Sequence, residues 1–403
     1  TAPTDEIGVA EAAWKMFLER CCVGNADDIV KSYGNEPIMV NEPQLREAFA
    51  SVDGKKLDRM NKFISYAVEV VKTSDFKLMV KPTSKGKMTR GAGVEYAPTQ
   101  TVIYNELDVN AAFTSIFRLA RDRLIGLLKP NIMINMKKNR EDLEAFFSNM
   151  VQPGLKYYEN DFKSYDKSQH TACLMLEIVA YRALGVTDRL CEIWYDAHAY
   201  GHIVNEEIGF AITLATQKRS GEVTTALGNT IVNMLSVNVV YDFKDAVFQA
   251  ALGDDHIAGL THDVPTQNVA TQLSALFNLQ GTPQVCRFGY FCSNFIIPVE
   301  AGQVKLVYDP FIAIAKLGRH ITYTTVEETE KLFQERYESF VTDVSSSFED
   351  ETVYESLSKA LYERYDIPDD SFGVVKSALA ALYTAGTSYE RYRALWEKVP
   401  TAV

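Results

Sequence analysis

Apolar and polar residues change period repeatedly along this 403-residue chain, and each change marks an element. Val9–Arg20 and Gln44–Ala50 read as helical pieces, set apart by Gly-Asn and Glu-Pro breaks. Phe76–Val80 reads as a short apolar strand and Pro98–Tyr104 as another. A long helix then runs from about Asp108 to Leu128 until Pro130 ends it. Arg140–Met150 predicts a shorter helix. Residues 155–162 have the aromatic character of a buried strand that ends at Asp161. From Ser168 to Leu184, the spacing of Ala172, Leu176, Val179, Ala180 and Ala183 puts them on one face of a helix that Gly185 stops.

Downstream, a Ser220-Gly221 loop opens a helix on which Thr225, Asn229 and Asn233 stand four apart as an uncharged polar stripe. A stripe without charge suits a surface that bonds sugars or bases, and Gly228 beside it permits close approach. Ala250–Leu260 is an apolar run folded back at Gly253-Asp254-Asp255, as a tight hairpin requires. Val269–Asn278 predicts a helix and Gly289–Ile297 a hairpin strand. Beyond about residue 310 the chain is helical and acidic, a separate lobe whose buried faces are marked by Tyr337, Phe340, Tyr354, Leu357, Leu361 and Tyr362.

The length implies two or three lobes, and a hydrophobic share of 47% supplies their cores. No run of eighteen apolar residues argues for a membrane span. The start, Thr1–Glu6, is acidic, without an apolar core or an initiating Met, so the sequence reads as part of a longer polypeptide and not as a secretory signal. The six cysteines lack Cys-x-x-Cys spacing, which predicts reduced thiols. His198 and His202, four apart, have no Glu or Cys partner at zinc-motif spacing.

A net charge of −12 argues against a nucleic-acid partner until its distribution is read. Residues 55–90 hold ten Lys or Arg against three acids, whereas residues 327–370 hold fourteen acids against four bases. The negative balance thus concentrates on one solvated region and leaves a positive one. Within the positive region, Phe76–Gly93 runs from strand into a loop whose lysines neutralise phosphate and whose Gly86, Gly91 and Gly93 let backbone come close. Asp161, Asp254 and Asp255, brought together by two neighbouring sheet elements, would form a hard-oxygen site for Mg²⁺ or Mn²⁺. Nucleotidyl transfer needs little beyond such a site, positioning and positive charge.

Asp161-x4-Asp166, Ser220-Gly221-x3-Thr225-x3-Asn229 and Gly253-Asp254-Asp255, in that order, resemble the palm motifs of the RNA-dependent RNA polymerases of positive-strand RNA viruses. Tyr165–Gln169, Ser220–Thr225, Tyr290–Cys292 and Lys316–Gly318 are most similar to the alphavirus-like supergroup, of the tobamovirus and bromovirus type. Lys81-x3-Lys85-x-Lys87, Gln100–Tyr104 and Val109–Ala111 match that group's fingers region, so the resemblance runs from about residue 76 to 320.

The resemblance implies an α+β right-hand polymerase, with fingers, a palm built on an antiparallel sheet, and a helical thumb. Its boundaries would be fingers 1–154, palm 155–170, fingers again 171–216, palm 217–305 and thumb 306–403. Asp161 and Asp254 would ligate two metal ions, Mg²⁺ or Mn²⁺, with Asp255 assisting. Asp166 and Asn229 would recognise the 2′-hydroxyl of the incoming ribonucleotide. Ser220, Gly221 and Thr225 would shape the loop around template and nascent pair, Lys81, Lys85 and Lys87 would meet the triphosphate, and Cys292 and Ser293 would support the priming strand. The implied partners are RNA template and product, NTPs, and other replicase subunits such as a helicase and a capping enzyme. The implied location is the host-cell cytoplasm, in membrane-associated replication complexes reached through partners.

Three positions depart from the pattern. Thr282 stands where relatives often carry a Lys that protonates the leaving pyrophosphate, and nearby Arg287 is a poor proton donor. Glu222 replaces an Asp, and His256 follows the paired Asp with no assigned role. Two rival readings remain. A reverse transcriptase would favour a bulky residue against the 2′-hydroxyl and an aromatic before the paired Asp, where this chain has Asp166, Asn229 and Gly253. A non-catalytic RNA-binding scaffold would bind RNA without incorporating nucleotides.

Overall fold

The computed structural model describes residues 5–39, 72–80, 86–89, 94–96, 100–299, 302–316, 325–344, 351–368 and 372–398. They divide into two units, one of Thr1–Met79, Thr101–Met136 and Tyr158–Gln284, the other of Val80–Gln100, Lys137–Tyr157 and Val285–Val403. The expected helix Gln44–Ala50 lies outside the described residues.

In the first unit, helix α1 (Glu6–Cys21) starts where the Asp5 carboxylate accepts the Gly8 amide at 2.9 Å. Glu6 in its first turn and Arg20 in its last complement the helix dipole. Helix α2 (Ala26–Asn35) follows, then strands β1 (Asp75–Val80) and β4 (Thr101–Asn105), helix α3 (Leu107–Leu127) and strand β5 (Ile132–Ile134). Strand β6 (Lys156–Phe162) ends in a turn at Ser164, whose φ of 52° is left-handed.

The helix expected over Ser168–Leu184 is α6 (Thr171–Ala183), and a separate turn of helix, α5 (Tyr165–Ser168), precedes it. Side chains take over at the break. Asn278 donates to the Ser168 carbonyl at 2.7 Å, and Gln169, in extended backbone, turns its amide to Asn229. Gly185, at φ 90°, ends α6 where a Cβ would stand 2.2 Å from the Arg123 guanidinium. Helix α7 (Asp188–Ala199) and strands β7 (Tyr200–Asn205) and β8 (Phe210–Ala215) complete a sheet of order β4-β1-β7-β8.

Helix α8 (Thr225–Val240) is buried on nearly every side, through Leu227, Ile231, Val232, Met234, Leu235 and Val237. A helix buried on most sides belongs inside a core, and this one, uncharged throughout, packs with α1 and α6. The central sheet has the order β11-β6-β10-β9-β5, from β9 (Phe248–Leu252), β10 (Asp255–Leu260) and β11 (Gly281–Cys286), with helix α9 (Val269–Phe277) preceding the last. β9 and β10 are antiparallel; β5 joins β9 in parallel, Ile132 opposite Gln249, so the expected antiparallel sheet has one parallel edge.

The second unit holds the hairpin of β2 (Gly86–Met88) and β3 (Val94–Tyr96), helix α4 (Arg140–Met150), and the sheet β12 (Gly289–Phe291), β13 (Asn294–Pro298) and β14 (Val304–Tyr308). α4 opens with a capping box between Asn139 and Asp142. Helices α10 (Pro310–Lys316), α11 (Val326–Asp343), α12 (Glu351–Tyr365), α13 (Phe372–Gly386) and α14 (Tyr389–Lys398) follow. Phe340, Leu357 and Leu361 share a core there with Phe295 and Val307 of the sheet. Buried Asp309 joins strand to helix: it accepts from the hydroxyls of Tyr290, at 3.0 Å, and Tyr365, and from the Phe311 amide at 2.9 Å. Burial raises its pKa, and these bonds resist the shift.

Candidate active site

β6 and β10 lie side by side, and two contacts fix their sense. Tyr158, early in β6, bonds the His262 carbonyl at 3.4 Å and the Val264 amide at 2.8 Å, just beyond the end of β10. Asp254, just before β10 begins, is near enough to Asp166, just after β6 ends, to raise its pKa. Only antiparallel neighbours satisfy both. The end of β6 carrying Asp161 therefore meets the end of β10 carrying Asp254 and Asp255.

Burial singles out the same three residues. In β6 every side chain from Tyr157 to Phe162 is buried except Asp161; along the β9–β10 hairpin the exposed side chains are Asp254 and Asp255. The reversal is a two-residue loop, with Leu252 opposite Asp255 and Gly253 at φ 61°. α8 clamps it, since Thr230 accepts the Gly253 amide at 2.8 Å and Asn233 donates to the Gly253 carbonyl at 3.1 Å. Among the described residues, no three His, Cys, Asp or Glu are already gathered to hold a metal ion. The donors nonetheless suit a hard divalent cation, because ionised carboxylates at adjoining strand ends offer oxygen acceptors only.

Asp166, on α5, accepts from the Asn229 amide at 2.7 Å, and Asn229 in turn accepts from Gln169 at 3.0 Å. The Tyr165 hydroxyl donates to the Asn229 carbonyl at 3.1 Å. Burial raises the Asp166 pKa; the Asn229 bond and the Lys218 charge oppose this, while Asp254 and Glu222 reinforce it.

Comparison with known proteins settles the family. A model described as RNA dependent RNA polymerase matches residues 4–390. The chain belongs to the RNA-dependent RNA polymerases. It is similar to the replicase large subunits of Tobamovirus Ob, 27% identical over 299 residues, and Odontoglossum ringspot virus, 28% identical over the same length. Each match covers 73% of this chain and 18% of the relative, so the chain spans about a fifth of the curated proteins it matches. These relatives put the polymerase in the alphavirus-like supergroup. A human picobirnavirus RNA-dependent RNA polymerase, an insertion-loop deletion mutant, shares the fold at TM-score 0.56 and 13% identity, over 93% of this chain and 79% of that one.

The polymerase's other predicted site residues are differently situated. The Gly221 amide donates to the Ile103 carbonyl on β4 at 2.8 Å, and a Cβ there would meet Val102 and Tyr104 at 2.8 Å. That loop is therefore docked on the Gln100–Tyr104 segment, and Ser220 beside it is partly buried. Thr225 donates to the carbonyls of Arg219 and Glu222 at 3.1 and 2.9 Å. The stripe Thr225–Asn229–Asn233, expected to face a ligand, is largely taken up by bonds to protein, as buried amides and hydroxyls require. Lys81 and Lys85 lie outside the described residues, and Lys87 is on β2 in the second unit. Cys292 and Ser293, at φ 50° and 61°, form the tight turn between β12 and β13. Thr282 is exposed on β11, and the Arg287 side chain is bonded to Glu363 at 3.2 Å.

Thr230, Gln169 and the buried group behind the Ser220-Gly221 loop carry no site role that the sequence predicts. Lys218 and Glu222, four apart around that loop, were the available signal. His198, in the last turn of α7, bonds Glu222, while His202 is on β7. His256 is a core ring stacked on Phe243, and burial lowers its pKa to about 3. No disulfide joins the six cysteines. Among the described residues no helix is long and apolar enough to cross a membrane.

Glu222 gives a pH test. Burial alone would raise its carboxyl, but His198 and Lys218 outweigh burial and hold the pKa at about 2, below the ordinary 4.5. A depressed carboxyl stabilises the fold fully above about pH 4.5 and loses that contribution as pH falls towards 2, here on the order of 3 kcal/mol. Urea midpoints measured from pH 6 to pH 3 should fall more steeply for wild type than for Glu222→Gln. Parallel slopes would contradict the assignment.

Proposed function

We propose that the chain is the catalytic unit of a viral RNA replicase, adding ribonucleotides from NTPs to the 3′ end of RNA as an RNA template directs. One observation carries the reading: the exposed side chains of β6 and of the β9–β10 hairpin are Asp161, Asp254 and Asp255. Like charges at adjoining strand ends disfavour one another, and a divalent cation bound between them relieves that repulsion.

We assign Asp161 and Asp254 as ligands of two divalent ions, Mg²⁺ or Mn²⁺, with Asp255 assisting. Such a pair, when bound, lowers the pKa of the attacking 3′-hydroxyl and neutralises charge at the leaving phosphate oxygen. Asp166, held by Asn229, accepts the 2′-hydroxyl of the incoming nucleotide. Ser220, Gly221 and Thr225 shape the loop against template and nascent pair, and Lys81, Lys85 and Lys87 neutralise the triphosphate. Cys292 and Ser293, in a tight hairpin turn, support the priming strand. Neither Thr282 nor Arg287 suits a general acid, and no residue is assigned to protonate the leaving pyrophosphate. Fingers, palm and thumb follow the boundaries 1–154, 155–170, 171–216, 217–305 and 306–403. Helicase and capping functions belong to partner subunits, and the complex works in the host cytoplasm on membranes reached through those partners.

Primer extension with labelled NTPs on an RNA template tests this directly. Template-dependent rNTP incorporation, present with Mg²⁺ or Mn²⁺ and lost in chelator, is the expected result. Preferential use of dNTPs would mean a reverse transcriptase, and RNA binding without incorporation would mean a scaffold.

A further inference from the structure

Four charged side chains are buried behind the Ser220-Gly221 loop, where the chemistry assigned above does not use them. Glu177 of α6, His198 of α7, and Lys218 and Glu222 at either side of the loop expose no more than 3% of any side chain. The Lys218 ammonium meets the Glu177 carboxylate at 2.9 Å, Glu222 at 2.5 Å and the Thr224 hydroxyl at 3.1 Å, which engages all three of its protons. His198 Nδ1 faces the Trp194 carbonyl at 2.8 Å, and its Nε2 faces the Glu222 carboxylate at 2.5 Å. Both ring nitrogens thus face oxygen atoms, an arrangement that a ring protonated on both nitrogens satisfies. Two anions and two cations then balance.

Stability is a poor reason to keep such a group, since apolar replacements of buried ion pairs are often neutral or stabilising. Its position gives a better one. A Cβ on Gly228 would stand 2.2 Å from the Glu177 carboxylate and 2.7 Å from the Lys218 ammonium, so the group presses on the turn of α8 that carries Asn229. Asn229 donates to Asp166, and the loop between Lys218 and Glu222 contains Ser220 and Gly221.

We propose that the charge-balanced group Glu177–Lys218–Glu222–His198 is a positioning device that fixes the Ser220-Gly221 loop and the Asn229 turn for the incoming ribonucleotide. None of its members touches substrate; each acts through the loop and helix it anchors. The proposal rests on the reading that this loop and helix hold the nucleotide.

A charge-balance cycle tests it. Lys218→Met, His198→Gln and Glu222→Gln each leave one charge unbalanced, while His198→Gln with Glu222→Gln together restores neutrality. Each single variant should raise the NTP KM roughly tenfold and reduce the preference for rNTPs over dNTPs by a similar factor, with RNA affinity within about twofold of wild type. The double variant should recover both values to within about threefold of wild type. Single variants with unchanged KM and sugar preference, or a double variant whose losses multiply, would overturn the proposal. If Lys218→Met does not fold, the His198–Glu222 cycle decides alone. A wild type that incorporates no nucleotide defeats the polymerase reading; an active wild type with indifferent variants defeats only the positioning role.

Discussion

Asp254→Asn should reduce RNA synthesis by at least about 10³-fold and leave RNA affinity within about twofold of wild type. The substitution keeps the shape of the hairpin tip, because the tip is held through Gly253, whose amide and carbonyl are bonded by Thr230 and Asn233. What it removes is one anionic oxygen donor where Asp161 and Asp254 approach. Several kcal/mol of charge stabilisation go with it, at tenfold in rate per ~1.4 kcal/mol. Phosphate contacts along an RNA backbone do not pass through this carboxylate, so binding should persist with its usual steep dependence on salt. Rate measurements with saturating primer–template, beside an RNA titration, separate the two effects. A variant that keeps a tenth or more of the rate would remove Asp254 from the reaction.

Asn229→Ala should lower discrimination between rNTPs and dNTPs by roughly 10–100-fold, with a smaller effect on the maximal rate for rNTPs. A site built to bond a substrate hydroxyl rejects the analogue lacking it because the site's own polar groups are then left unpaired. Here Asn229 bridges Gln169 and Asp166, and its bond is one of the forces that keep the Asp166 carboxyl from rising further. Without it, burial pushes the Asp166 pKa higher, and the protonated form gains at a given pH. The loss of discrimination should therefore deepen as pH falls. Competition assays with mixed rNTP and dNTP pools at two pH values measure both effects; unchanged discrimination would restrict Asn229 to a packing role.

Residues that announce themselves locally were legible in the sequence. Gly253-Asp254-Asp255 is a hairpin tip because Gly supplies the positive φ, and Asp161 lies near the end of a strand whose Tyr157, Tyr158 and Phe162 mark it as buried. The neighbourhood of β6 and β10 was implied by motif order, although the parallel edge strand β5 was not, since pairing partners leave no trace in a three-residue apolar run. Asn229 and Asn233 were visible as a stripe but read as facing a ligand. Periodicity identifies which residues share a face, not whether that face meets water, RNA or another helix. The break between α5 and α6 and the buried group around Lys218 escaped for the same reason, since Asn278 stands 110 positions from Ser168 and Glu177 stands 41 from Lys218.

Mn²⁺ soaked into crystals of the polymerase with primer–template and an incoming nucleotide, located by anomalous scattering, measures the central feature most directly. Two peaks about 3.5–4 Å apart, both within bonding reach of Asp161 and Asp254 carboxylate oxygens, are the predicted result. Metal peaks elsewhere, or no metal between β6 and the β9–β10 tip with nucleotide bound, would contradict it.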